Sequence, residues 1–140
     1  MRYPRALALL LLFTAAGATE PRPAFPGAEG WAASTPGGRG GRILRVTTLD
    51  ASGPGSLLDA IAERGPRIIV FEVGGVIDLG GRIVEVREPF LTVAGQTAPS
   101  PGVTLIRGGL LVGAHDIVIR HLRGRPGEAG HPKEIGRAHV

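Results

Sequence analysis

The chain of 140 residues contains no cysteine and no asparagine, and Lys133 is its one lysine. Without cysteine there is no disulfide to brace a small fold and no thiolate to hold a metal. Lipid anchoring through cysteine is excluded for the same reason. Aromatic residues are 4% of the chain, too few for the stacking platforms that bind single-stranded nucleic acid. No apolar run approaches the roughly 20 residues needed to span a bilayer. The net charge is a modest +4, carried almost wholly by arginine. A GC-rich coding sequence explains that bias. No basic helix and no basic patch interleaved with aromatics occurs, so nucleic acid is not an expected partner.

Glycine and proline are what abound. They number 23 and 12, a quarter of the chain. Such a fraction borders on low complexity, yet 43% of residues are apolar, which argues against disorder. Short apolar segments between frequent turns are the consequence. A helical bundle, a coiled coil and a collagen-like repeat are thereby excluded.

The N-terminus has the three parts of an export signal. Arg2 and Arg5 are the positive region, Ala6 to Phe13 (ALALLLLF) the apolar stretch, and Ala16-Gly17-Ala18 the small residues before cleavage. The apolar stretch suits a signal peptide and is too short for a membrane span. Residues 1–18 are expected to be removed, giving a secreted or periplasmic product. Its charge would fall from +4 to +2 with the loss of Arg2 and Arg5.

Residues 19–42 read as an extended, Gly/Pro-rich lead-in. Strand-like runs follow at Ile43–Thr48, Ile68–Val73, Val76–Leu79, Arg82–Val86, Phe90–Ala94, Val103–Ile106, Leu110–Val112 and Ile117–Leu122. Ser56 to Arg64 is the one helix candidate, with Ser56 as N-cap, Asp59 at the capping-box position and Gly65-Pro66 as the stop. Val70, Val93 and Ile119 recur at intervals of 23 and 26 residues, each holding about three short strands. A period in the twenties indicates a solenoid, and three strands per turn without regular helices indicates a parallel β-helix. The helix before the first coil would cap its apolar end. An antiparallel β-sandwich is the rival, and the absence of an asparagine ladder counts slightly against the β-helix. The expected fold is all-β: a parallel β-helix over 43–133, with a short capping helix, ending after two to three coils. Residues 134–140 break the strand pattern and back-translate to a string resembling sequencing-adapter DNA, so they read as a non-native tail.

Several segments carry a family resemblance. Ala24-Phe25-Pro26-Gly27-Ala28-Glu29-Gly30-Trp31 with Gly37-Gly38-Arg39-Gly40-Gly41 resembles the N-terminus of pectate lyase-like, right-handed β-helix proteins. Ile69-Val70-Phe71-Glu72-Val73-Gly74-Gly75-Val76-Ile77 is similar to that family's first coil, and Leu91 to Pro99 (LTVAGQTAP) to the next. Ile117 to Gly127 (IVIRHLRGRPG) resembles the coil before the active site. Leu58 departs from the family pattern, where arginine is common, and Glu128 stands where aspartate often follows Arg-Pro-Gly. The resemblance implies eliminative cleavage of polygalacturonate by a secreted, monomeric lyase. It implies calcium, held by Asp/Glu ligands, to neutralise the charge that develops at the substrate carboxylate, and an arginine to take the proton. In the family those groups follow the Arg-Pro-Gly strand, so no catalytic, metal or substrate residue is assigned in this chain. A non-catalytic β-helix adhesin or polysaccharide-binding protein, or a β-helix glycoside hydrolase, is the alternative, because the fold does not settle the chemistry.

Local candidates are weak by themselves. Asp116 and Glu128 are carboxylates without a third partner at useful spacing, and Asp116 reads as a turn residue starting a strand. His115 and His121 match no metal pattern. Arg120, Arg123 and Arg125 could form a basic strip for an acidic polysaccharide or a solvated face; in one continuous strand 123 and 125 would share a face and 120 take the other. The glycine run around Arg39 lacks the Gly-Lys-Ser/Thr of a phosphate cradle and reads as a loop.

Overall fold

The computed structural model describes residues 22–127. The expected export signal over 1–18, Glu128 and the tail at 134–140 lie outside the described residues. The elements are β1 (Arg42–Val46), α1 (Leu57–Ala62), β2 (Arg67–Phe71), β3 (Gly75–Asp78), β4 (Ile83–Val86), β5 (Leu91–Ala94), a 3-10 turn at Gly95–Thr97, β6 (Val103–Ile106), β7 (Gly109–Val112), β8 (Ile117–Arg120) and β9 (Leu122–Arg125). Three sheets form, in the orders β1-β2-β5-β8, β3-β6-β9 and β4-β7. Every pairing among the described residues is parallel. From β2 onward a strand pairs with its equivalent one turn later rather than with its neighbour in the chain, as a three-sided solenoid requires. The architecture is a parallel β-helix, and the antiparallel sandwich falls away.

The register differs from the spacing of Val70, Val93 and Ile119 by one residue. Ile69, not Val70, pairs with Val93, and Val93 pairs with Ile119. One residue matters, because neighbours in a strand face opposite ways. Arg67, Ile69 and Phe71 point inward and are buried, whereas Ile68 and Val70 face outward and are half-buried. Inside each coil the inward positions stack on one another: Ile77 under Leu105, Val84 and Val86 under Leu110 and Val112, Leu91 and Val93 under Ile117 and Ile119. Buried Val46, Ile69, Phe71, Ile77, Val86, Leu91, Val93, Val103 and Leu105 form one apolar core with residues of α1.

Helix α1 begins as the sequence predicts. The Ser56 side chain accepts a hydrogen bond from the Asp59 amide at 3.2 Å. Leu57, Ala60 and Ile61 are buried, and α1 packs against β1, β2 and β4, covering the core at the first coil. Its C-terminal carbonyls are met by an arginine that the sequence did not single out. Arg67 is completely buried, and its guanidinium donates to the carbonyls of Ile61, Gly65, Glu88 and Pro89. Its Nε is the one buried side-chain polar atom without a partner among the described residues. Desolvation lowers its pKa from the usual arginine value, with Glu88 and Glu63 opposing the effect.

The lead-in lies across the outer face of the four-stranded sheet. The Gly38 amide donates to Thr92 Oγ1 at 2.9 Å. A side chain at Gly38 would collide with the Arg67 carbonyl, so the close approach needs glycine. Thr35 Oγ1 donates to Asp116 Oδ1 at 2.7 Å. This cover explains Val118, which faces outward in register with Thr92 and is nevertheless 7% exposed.

Candidate functional site

The expected single strand Ile117–Leu122 is two strands. His121 separates β8 from β9 and has φ of 57°, a left-handed corner of one residue. Non-glycine residues seldom adopt this conformation. It turns the chain from the first sheet to the second and ends the alternation that would have set Arg120 against Arg123 and Arg125. The corner packs on Gly95, whose missing side chain makes room for the carbonyls of Arg120 and His121.

The three arginines of the expected basic strip therefore separate. Arg120 lies on the outer face of β8 with its guanidinium 4.1 Å from the centre of the Phe25 ring, a cation–π contact with the lead-in. Arg123 and Arg125 face outward together from β9, in register with Thr104 and Ile106 of β6. Arg123 Nη1 donates to the Pro101 carbonyl at 2.7 Å, which fixes the side chain against the preceding coil. Beside it is a depression of about 290 Å³ lined by Gly95, Gln96, Ala98, Gly102, His121, Leu122 and Arg123. No carboxylate among the described residues lines it.

Asp116 is a turn residue, as expected. It has φ of 56°, precedes β8, and accepts from Thr35 and from His115 Nδ1, the latter at 2.7 Å. The Thr35 hydroxyl, then His115, holds its pKa below the ordinary 3.8. The His115 ring meets Phe90 edge-on, with centres 5.2 Å apart. His115 and Asp116 thus join the lead-in to the coils and are not brought together with His121. The glycine run around Arg39 lies in the lead-in, where Arg39 donates to the Pro23 carbonyl.

A second depression, of about 410 Å³, lies between the end of α1 and β4 and is lined by Ile61, Ala62, Arg64, Ile83, Glu85, Arg87 and Glu88. Its charges are internally matched: Arg87 pairs with Glu85 and Arg64 with Glu88. Elsewhere Glu63 pairs with Arg42, Glu72 with Arg45, and Asp78 with Arg107. The Arg107 guanidinium, then the Gly80 amide, lowers the Asp78 pKa. Among the described residues no three His, Asp or Glu side chains converge on a point where a metal ion could sit. The described residues do not fit a calcium ion. No helix among them is long and apolar enough to cross a membrane.

Sequence reasoning missed Gln96 and the Arg120–Phe25 contact. Gln96 stands within the LTVAGQTAP run, but its place beside the corner depends on how one coil turns over the next. For Arg120 the signal was the phenylalanine in the lead-in.

No family model matches the chain. Curated proteins do. The protein named "Probable pectate lyase C" of Emericella nidulans is 45% identical over 129 residues, 91% of this chain and 30% of that protein. The proteins of the same name in Aspergillus terreus and Aspergillus flavus are 47% and 46% identical over 108 residues, 76% of this chain and 25% of each. The chain thus spans between a quarter and a third of the length of these relatives. Near-half identity runs through the segments that build stacked parallel coils, and on both grounds the chain belongs to the pectate lyase-like family of parallel β-helix proteins.

Proposed function

We propose that this chain forms coils of a secreted pectate lyase that cuts polygalacturonate by calcium-assisted β-elimination. One observation carries the reading: the 45% identity to a protein named as a pectate lyase extends over 91% of the chain. Elimination removes a proton next to a carboxylate, so negative charge gathers there and has to be offset. Among the described residues no three carboxylate or histidine side chains converge to hold a cation for that work. Glu63, Glu72, Asp78, Glu85 and Glu88 are each committed to an arginine. Their part is architectural. Parallel stacking sets successive coils about 4.8 Å apart, and α1 with Arg67 closes the first coil. Calcium belongs to the reading as cofactor, and no residue from 22 to 127 is given a role through it. Residues 1–18 would direct export, and the partner would be an acidic plant polysaccharide met by a monomer.

The test is the gene's reading frame expressed through to its stop codon and assayed on polygalacturonate. The expected result is absorbance from unsaturated uronate products, abolished by a calcium chelator. Reducing ends without unsaturation would instead identify a β-helix hydrolase. Tight glycan binding with no bond cleaved would identify an adhesin. Either result overturns the proposal.

A further inference from the structure

We propose that the depression at the β8–β9 corner is an accessory binding site for the carboxylates of an acidic polysaccharide, separate from any site of bond cleavage. Charge bookkeeping points there first. Arginines 42, 45, 64, 87 and 107 each have a carboxylate partner. Of the described arginines without one, Arg67 and Arg82 are held by main-chain carbonyls, Arg39 and Arg120 by the lead-in, and Arg22 stands alone in it, whereas Arg123 and Arg125 lie on the same strand. These two share the outer face of β9. Strand geometry separates residues two apart by about 7 Å. Two arginine side chains rising from positions so spaced suit a stiff polymer that carries carboxylates at regular intervals.

Geometry supplies the rest. Arg123 is held by the Pro101 carbonyl through Nη1, so binding a ligand through its remaining donors orders a side chain already partly ordered. Arginine presents paired donors in a plane, which matches a carboxylate. His121 is exposed because its left-handed corner puts it outside both sheets. Gln96, also exposed, offers both a donor and an acceptor to sugar hydroxyls. The volume of about 290 Å³ lies just below the range of pockets that enclose drug-sized ligands. One sugar unit fits such a depression while the polymer runs on over Arg123 and Arg125. The carboxylate-bearing glycan is chosen because of the lyase reading; the anion site itself follows from the arginines, His121 and Gln96.

The test is binding of trigalacturonate to the 140-residue chain by isothermal titration and by amide chemical shifts, with neutral galactotriose, inorganic sulfate and a short DNA duplex as comparisons. Trigalacturonate is expected to bind, to weaken as salt rises, and to shift amides of residues 95–102 and 121–125. Arg123→Gln, and separately Arg125→Gln, should weaken binding roughly fivefold to tenfold. His121→Asn, which keeps a residue tolerant of the left-handed corner, should weaken it less. Arg45→Gln, on a different sheet, should change nothing. Circular dichroism checks that each variant is folded, and the two arginine variants serve as independent tests. Shifts confined to other residues, equal binding of galactotriose, or tighter binding of sulfate or DNA than of trigalacturonate would overturn the proposal. The two readings fail separately. A chain that binds no trigalacturonate while the extended protein cleaves polygalacturonate refutes this site alone. A chain that binds at this corner while the extended protein cleaves nothing refutes the lyase.

Discussion

Replacing Arg67 with methionine keeps much of its volume and removes its charge and all its donors. The guanidinium reaches four carbonyls, at 2.8 Å from Ile61, 3.1 Å from Gly65 and from Pro89, and 3.3 Å from Glu88. A hydrogen bond from a charged donor contributes about 1.5–3 kcal/mol, so the gross loss is large. Two effects reduce it. Methionine no longer requires the desolvation that depresses the arginine's pKa, and it removes the unpartnered Nε. Three of the four bonds are only part-buried, so water can reach those carbonyls once the arginine is gone. Leaving a buried carbonyl without its donor costs about 1–3 kcal/mol, and with these offsets Arg67→Met should cost about 3 kcal/mol in all. A domain of this size loses roughly 4 °C of Tm per kcal/mol, so the drop should be about 12 °C. Thermal and urea unfolding of the full chain, followed by far-ultraviolet circular dichroism, read it directly. Arg67→Lys should fall between, because one ammonium cannot reach carbonyls on both sides of the strand end. A loss below about 1 kcal/mol for Arg67→Met would refute the reasoning, since the carbonyls would then be satisfied without the arginine.

Three further outcomes follow from the contacts. Ser56→Ala should cost about 1 kcal/mol by removing the N-cap of α1, measured in the same melts. Gly38→Ala should lift the lead-in from the sheet, because the new methyl group meets the Arg67 carbonyl; amide exchange at residues 35–38 should accelerate while β5 stays protected. Acid should do the same at Asp116. Its folded pKa is below the ordinary 3.8, so its contribution is present in full above that value and is lost as pH falls through the lower folded value. Exchange of Thr35 and its neighbours, corrected for intrinsic rates, should rise through that window, and Asp116→Asn should show much of the rise at neutral pH. A lead-in equally protected at both pH values would show that Asp116 does not hold it.

Much of the fold was legible because turn residues punctuate it. Glycine or proline bounds most of the apolar runs, and the period of the runs gave the solenoid. Ser56 and Asp59 marked the helix start, a signal local to four residues. What was not legible depends on contacts between coils. Val70 and Val93 look equivalent by residue type, yet the turns between them shift the true pair to Ile69 and Val93. His121 carries no sign of a left-handed corner, since that conformation is set by the coil beneath it at Gly95. Arg67 reads as a surface arginine until α1 folds over it. The lead-in reads as a loose segment, and only its glycines hint that it approaches another backbone. At the corner site, arginine and histidine were visible as residues, but their separation into Arg120 on one face and Arg123 with Arg125 on another required the corner.

The central claim is that this chain builds stacked parallel coils of a lyase scaffold, and the absence of cysteine makes a direct test possible. Val76 and Thr104 are partners in adjacent parallel strands and both face outward. Their Cα atoms are expected about 4.8 Å apart, within the range that a disulfide spans. The double variant Val76→Cys with Thr104→Cys should form an intramolecular disulfide under mild oxidation, read by mass spectrometry after proteolysis. The pair Val76→Cys with Val84→Cys, which an antiparallel hairpin would bring together, should not. Cross-linking of the second pair and not the first would contradict the β-helix and everything argued from it.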